Sequence, residues 1–212
     1  MRLRGPGIAL TLDACPGGFD MRIAAALIET GTPATIMLTG AWLRRNPEGL
    51  ALMLVHPALF GFGNHGEQHL APVLGSRRIF GQPVAGTLAA IGREVSEGAA
   101  SIRRATGAAP GWYRGATAYY SPAAVPVIQG LGVSIAGFSL SADQGASLPA
   151  GMVAARMGRA RDGEVIIAHI NQPSRASGQG VADGLRALHR AGGRIVRLEE
   201  LGEVDAITKS EQ

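Results

Sequence analysis

The chain has 212 residues, 46% hydrophobic and 17% charged, with 31 Gly, 12 Pro and one Cys. One domain over residues 1–212 is the simplest organisation for that length, and a single thiol excludes an intrachain disulfide framework and a multi-cysteine zinc ribbon. Lys+Arg exceed Asp+Glu by 20 to 16, or +4, but the arginines lie singly or in pairs, which argues against a nucleic-acid partner. No apolar run approaches the roughly 20 residues that cross a bilayer.

Met1-Arg2-Leu3-Arg4 has the charge of a signal n-region. The apolar stretch at 8–12 is too short to follow it, so no export signal is expected. Arginine in place of almost every lysine points to a GC-rich, bacterial source. Short runs of Ile, Val and Leu then alternate with helical patterns, with Gly or Pro at most junctions. In chain order the patterns predict a strand over 7–12, a helix over 20–29, a strand over 34–38 and a helix over 41–55. A strand follows over 59–63, a helix over 83–106, strands over 111–114 and 133–140 with a helix over 122–130 between them, and a helix over 149–159. The last elements are a strand over 164–170, a helix over 180–191 and a strand over 194–198. Seven strands separated mostly by helices predict an α/β protein with a parallel sheet, and unbroken apolar runs such as Val165-Ile166-Ile167-Ala168 fit strands buried on both faces.

Parallel β/α folds of the barrel type carry chemistry where strands end and loops begin. The first strand ends in Thr11-Leu12-Asp13, the third runs into Asn64-His65, the fourth meets Arg114, the fifth ends in residues 139–143 and the sixth in His169. His65-Gly66-Glu67-Gln68-His69 is the sharpest local feature, because two histidines four apart can share one metal ion; a loop histidine plus a capping one is the plainer account. Asp13, before the turn-forming Cys15-Pro16-Gly17-Gly18, suits a general base, a metal ligand or a helix cap. Arg114 lies between Trp112-Tyr113 and Tyr119-Tyr120, where its fixed charge can orient Asp13 or Asp143. His56 and His189 read as structural or solvated, and Cys15 as a small buried loop residue that also lies within reach of the metal region. No GxGxxG or GxxxxGK[ST] is present, which argues against a nucleotide.

The order Thr11-Leu12-Asp13, Asn64-His65-x-x-x-His69, Arg114, Asp143 and a strand ending in His169 resembles the polysaccharide deacetylases of the NodB-homology type, carbohydrate esterase family 4. The resemblance runs from about Gly7 to Leu201 and takes in Gly184-Leu185-x-x-Leu188-x-x-x-Gly192-Gly193-Arg194-Ile195-Val196. It implies a distorted (β/α)7 barrel and metal-assisted removal of an N-acetyl or other N-acyl group from an amino sugar. It also implies Asp13 as general base, His169 as general acid, His65 and His69 as metal ligands, Arg114 holding the base and Asp143 supporting that charge network. Zinc is expected on two imidazoles, with cobalt, manganese or nickel as alternatives. Trp112, Tyr113, Tyr119 and Tyr120 are expected to pack on pyranose rings or else within the barrel, and an N–H near the first loop or Arg114 to stabilise an oxyanion.

The chain departs from the family pattern in Ala14, where a second, metal-binding aspartate is usual, in Cys15 for glycine, in Gln144 after Asp143, and in Gly115-Ala116 for the prolines after Arg114. Alanine has no donor, so Asp13, Cys15, Asp20 or water must substitute if metal is held. Two further readings follow: a carbohydrate-binding relative without catalysis, and a hydrolase of small amides that needs no metal.

Overall fold

The computed structural model describes residues 1–200. Leu201, the last residue of the resemblance, and the remainder of the 1–212 domain reading lie outside the described residues. The elements are β1 (Ile8–Ala14), α1 (Met21–Thr30), β2 (Ala34–Leu38), α2 (Gly40–Arg45), α3 (Pro47–Leu54), β3 (Phe60–Asn64), β4 (Ala71–Leu74) and β5 (Val84–Gly86). There follow α4 (Leu88–Thr106), β6 (Trp112–Tyr113), α5 (Ala124–Gln129), β7 (Ser134–Ile135), β8 (Leu140–Ser141), α6 (Ala150–Met157), β9 (Val165–His169), α7 (Ala176–Arg190) and β10 (Ile195–Val196). Among them no helix is long and apolar enough to cross a membrane.

The main sheet is parallel, ordered β7-β6-β3-β2-β1-β9-β8, with β10 also paired to the start of β1. Helices cover its outer side and it curls into the distorted (β/α)7 barrel. Side chains alternate across a strand, and β1 shows the two faces. Ile8, Leu10, Leu12 and Ala14 join the large cluster beneath the helices, with Trp42, Leu27 and Leu185. Ala9 turns inward to Met37, Val165, Val196 and Leu198, a small apolar cluster that fills the barrel's lower interior. Thr11 and Asp13 continue that inward row toward the other end, so the sheet's own alternation places a carboxylate at the rim.

Three expectations are corrected here. Residues 133–140 do not form one strand: β7 and β8 lie at opposite ends of the sheet, and the chain between them bridges the seam where the barrel does not close through strand pairing. The helix over 41–55 is broken at Asn46-Pro47, because a proline disfavours helical backbone in the residue before it; Asn46 has φ −129°, ψ 53°. The helix over 83–106 gives its first turn to β5, which pairs with β4 in a two-stranded sheet, and α4 starts after Thr87, whose side chain caps the Ala90 N–H.

Candidate active site

Strand register assembles the rim. Asp13 lies opposite Met37 on one side and His169 on the other, Leu38 lies opposite Asn64, and Asn64 opposite Tyr113. The side chains of Asp13 and His169, and the loops that begin at His65 and Arg114, therefore share one end of the barrel.

Arg114 is fully buried and spends its guanidinium on two tasks. One nitrogen donates to Asp13 Oδ1 at 2.7 Å and to Thr11 Oγ1 at 2.9 Å. The others donate to the carbonyls of Ala136 and Gly137, both at 3.1 Å, in the segment that bridges the seam. Burial alone raises the Asp13 carboxyl pKa, but Arg114, then His65 and His169, outweigh it and hold the group below its usual range. Asp13 is kept as a carboxylate in a nearly dry place.

The His65–His69 loop is held from behind by α4. Glu94, itself buried, accepts the N–H groups of Gln68 at 2.9 Å and Leu70 at 3.0 Å, which flank His69. Asn64 accepts from Gly66 N and donates to the Val95 carbonyl. Gly98 allows this approach, since a Cβ there would stand 2.5 Å from Asn64 Oδ1. Residues 65–69 form no helical turn. Gly66 (φ 88°) and His69 (φ 67°) both adopt left-handed backbone, so the two rings meet across a loop, with centroids 4.8 Å apart. A non-glycine residue so placed costs of order 1–3 kcal/mol, and such strain gathers at functional sites.

His65 Nδ1 donates to the Arg114 carbonyl at 2.6 Å, so Nε2 offers its lone pair toward the rim. That nitrogen lies 3.4 Å from Cys15 Sγ and 3.6 Å from Asp13 Oδ2. Burial opposes a charge on His65, while Asp13 and Cys15 outweigh burial and raise its pKa. Cys15, half-buried, is pushed up by burial and pulled further down by His65, His169 and His69, so its pKa lies well below that of an ordinary thiol. The donor atoms of Cys15, His65 and His69 lie within 4.8 Å of one another. These residues fit a divalent ion by their donor types and geometry: two imidazoles and a thiol with close donor atoms, and a carbonyl behind His65 that engages its Nδ1. Ala14 belongs to the apolar cluster behind β1, and Asp20 caps α1 and is ion-paired with Arg22 at 2.6 Å, which removes it as a substitute ligand.

His169 is tied to Asp143, not to the Arg114 network. Asp143 accepts the His169 backbone N–H at 2.7 Å and its Nδ1 at 3.0 Å. Burial lowers the imidazole pKa, but Asp143 and Cys15 override it and raise it well above its ordinary value. The side chain keeps 17% exposure, enough to meet a substrate. Asp143 is thus bonded to His169, while Arg114 is bonded to Asp13.

Of the aromatics, Tyr113 is wholly enclosed among Ile91, Val95 and Ile128 and presents no face for a sugar. Trp112 is half-buried against the inner apolar cluster. Tyr120 is half-buried, its hydroxyl accepts the Gly115 N–H at 2.8 Å, and enclosure of that hydroxyl raises its pKa to about 12. The Gly115 amide is therefore committed and is not an oxyanion donor. Tyr119 is 44% exposed and meets Phe80, 76% exposed, edge to face at 5.3 Å. The sequence pattern had not pointed to Glu94, Gly98 or Phe80, and it marked Asn64 without its bonds to Gly66 and Val95; the acidic residue on the apolar face of the α4 pattern was a usable signal.

Residues 2–136 match the polysaccharide deacetylase family model. No curated protein sequence matches the chain significantly. Among solved structures, peptidoglycan deacetylase PdaC from Bacillus subtilis is 20% identical with a TM-score of 0.74, covering 93% of this chain and 90% of its own. A family 4 carbohydrate esterase from Streptomyces lividans in complex with acetate is 19% identical with a TM-score of 0.70, over 91% and 92%. A CE4 family pseudoenzyme from Bacillus anthracis is 18% identical with a TM-score of 0.74, over 94% and 67%. At these identities the structures establish the shared fold.

Proposed function

We propose, from the premise that this chain belongs to the polysaccharide deacetylase family, that it hydrolyses the amide of an N-acylated amino sugar, releasing the acid and a free amine. The observation that carries the reading is the Asp13–His169 pair on adjacent strands, with a carboxylate held ionised and an imidazole held protonated.

Asp13 takes the proton from the attacking water; Arg114 keeps it charged and fixes its plane. His169, loaded with a proton by Asp143, donates to the departing sugar nitrogen, which is too basic to leave as an anion. His65 and His69 hold a divalent ion, with zinc favoured by imidazole donors and cobalt, manganese or nickel as alternatives. When bound, the ion polarises the amide carbonyl and acidifies water. Thr11 steadies the same guanidinium nitrogen that holds Asp13, so the base loses little freedom between turnovers. Tyr119, backed by Phe80, supplies an aromatic face of the kind that packs on pyranose rings.

A second reading, a carbohydrate-binding relative without catalysis, is favoured by Ala14, which lies in the apolar cluster and carries no donor. Metal content together with acetate release from N-acetylglucosamine oligomers and from peptidoglycan separates the two. Stoichiometric metal and steady acetate release are expected. Retained sugar binding with no acetate under metal-loaded conditions would leave the binding-only reading standing.

A further inference from the structure

We propose that Cys15 is the third protein ligand of the metal centre, making it a thiolate-containing Cys/His/His site. The inference rests on the reading that His65 and His69 hold a divalent ion, and adds to it a ligand and a metal preference.

Strand alternation supplies the first argument. Ala14, the last residue of β1, turns its side chain into the cluster under the helices, so the next residue faces the rim along with Asp13. Distance supplies the second. Zinc–sulfur and zinc–nitrogen bonds of about 2.3 and 2.0–2.1 Å at a tetrahedral angle set the two donors about 3.6 Å apart. Cys15 Sγ and His65 Nε2 stand 3.4 Å apart, and all three donor atoms lie within 4.8 Å. At its widest, the triangle need contract by about 1.2–1.5 Å to bind an ion.

Rigidity supplies the third. The Cys15 loop is clamped: Trp42 Nε1 donates to the Gly18 carbonyl at 2.8 Å, Asn46 Nδ2 donates to the Gly17 carbonyl at 3.1 Å, and Gly18 N donates to the Asn171 carbonyl at 3.0 Å. His65 is fixed through Nδ1. A half-exposed thiol on a fixed loop, facing a fixed imidazole, is open to an arriving ion. Binding replaces the S–H bond with a sulfur–metal bond and releases the proton to water, so no oxidant or further reactant enters. Three protein ligands leave a fourth position open. A thiolate also biases the site toward zinc and cobalt and away from manganese or magnesium, which prefer oxygen donors.

The test uses the full chain, stripped with chelator and titrated with cobalt(II). A near-ultraviolet thiolate-to-cobalt charge-transfer band should saturate at one equivalent in wild type and be lost in Cys15→Ser, which keeps the visible bands of histidine-bound cobalt. Because the chain has one Cys, alkylation followed by mass reads Cys15 alone; its rate in wild type should fall in step with added zinc. This second measurement decides the matter if Cys15→Ser does not fold. Visible cobalt bands without the charge-transfer band, or alkylation unaffected by saturating zinc, would overturn ligation by Cys15 and leave the histidine site intact. Failure of wild type to take up cobalt would overturn both.

Discussion

Asp13 and His169 are register partners across β1 and β9, and each is bonded to its own residue of opposite charge, Asp13 to Arg114 at 2.7 Å and His169 to Asp143 at 3.0 Å. Two groups that favour opposite charges thus sit side by side, each held mainly by its own partner. Arg114 favours the deprotonated acid, and Asp143 favours the protonated base.

Arg114→Met keeps the volume of a buried side chain but strands the Asp13 carboxylate and frees the Ala136 and Gly137 carbonyls. Breaking such a pair typically costs about 3–5 kcal/mol, and denaturant unfolding at neutral pH should show a loss of that size. The folded Asp13 pKa is depressed, so the stabilisation is present above the unfolded carboxyl pKa of about 3.9 and fades as pH falls through the folded value. The gap between wild type and variant should therefore narrow in acid. An unchanged unfolding midpoint would contradict the burial of this pair.

Asp143→Asn removes the charge that raises the His169 pKa. Protonated His169 is the proposed proton donor, so activity should decline as pH rises through its folded pKa. In the variant that alkaline limb should move to lower pH, toward the ordinary imidazole value of about 6.5. The linked stability has the same sign: it is full below about 6.5 and lost as pH rises through the raised value. A pH–rate profile with an unmoved alkaline limb would detach Asp143 from the proton donor.

Glu94 touches no substrate and acts through the loop it ties down. Glu94→Ala leaves the Gln68 and Leu70 N–H groups without their acceptor and releases the strained backbone at His69. Loss of this kind of outer support commonly weakens metal affinity 10–100-fold, roughly the drop expected in zinc titration, with the circular dichroism spectrum retained. Affinity equal to wild type would show that the loop holds its shape unaided.

Tyr119→Ala should raise KM for N-acetylglucosamine oligomers while leaving kcat nearly unchanged, since the ring is exposed and its contact is the same in ground and transition states. An aromatic contact worth about 0.5–1.5 kcal/mol corresponds to roughly a two- to tenfold change. Tyr113→Phe should leave KM alone, because that ring is enclosed. A KM effect at Tyr113 without one at Tyr119 would reverse the assignment.

Asp13, His65, Arg114 and His169 were legible as strand-end polar residues because each follows or ends a short apolar strand, a local signal. What escaped depended on three-dimensional neighbours. Residues 133–140 have strand-like composition, yet the chain there must cross from β6 to β9 at the seam, and Arg114 satisfies its carbonyls in place of a strand. The Asp143 partnership is set by β8 lying beside β9, a pairing no spacing reveals. Glu94 lies on the apolar face of an amphipathic helix, which its spacing shows, but the loop it caps is visible only in three dimensions. Tyr113 and Tyr119, six positions apart, differ in fate because one lies on the helix-covered outer face of β6 and the other on a loop.

The most direct test of the central claim is acetate release from N-acetylglucosamine oligomers by wild type, Asp13→Asn and His169→Ala, all folded and equally metal-loaded. Measurable turnover is expected in wild type, with a loss of about 10²–10⁴-fold in each variant, the usual range for removing a general base or acid. Equal rates in all three proteins would contradict it.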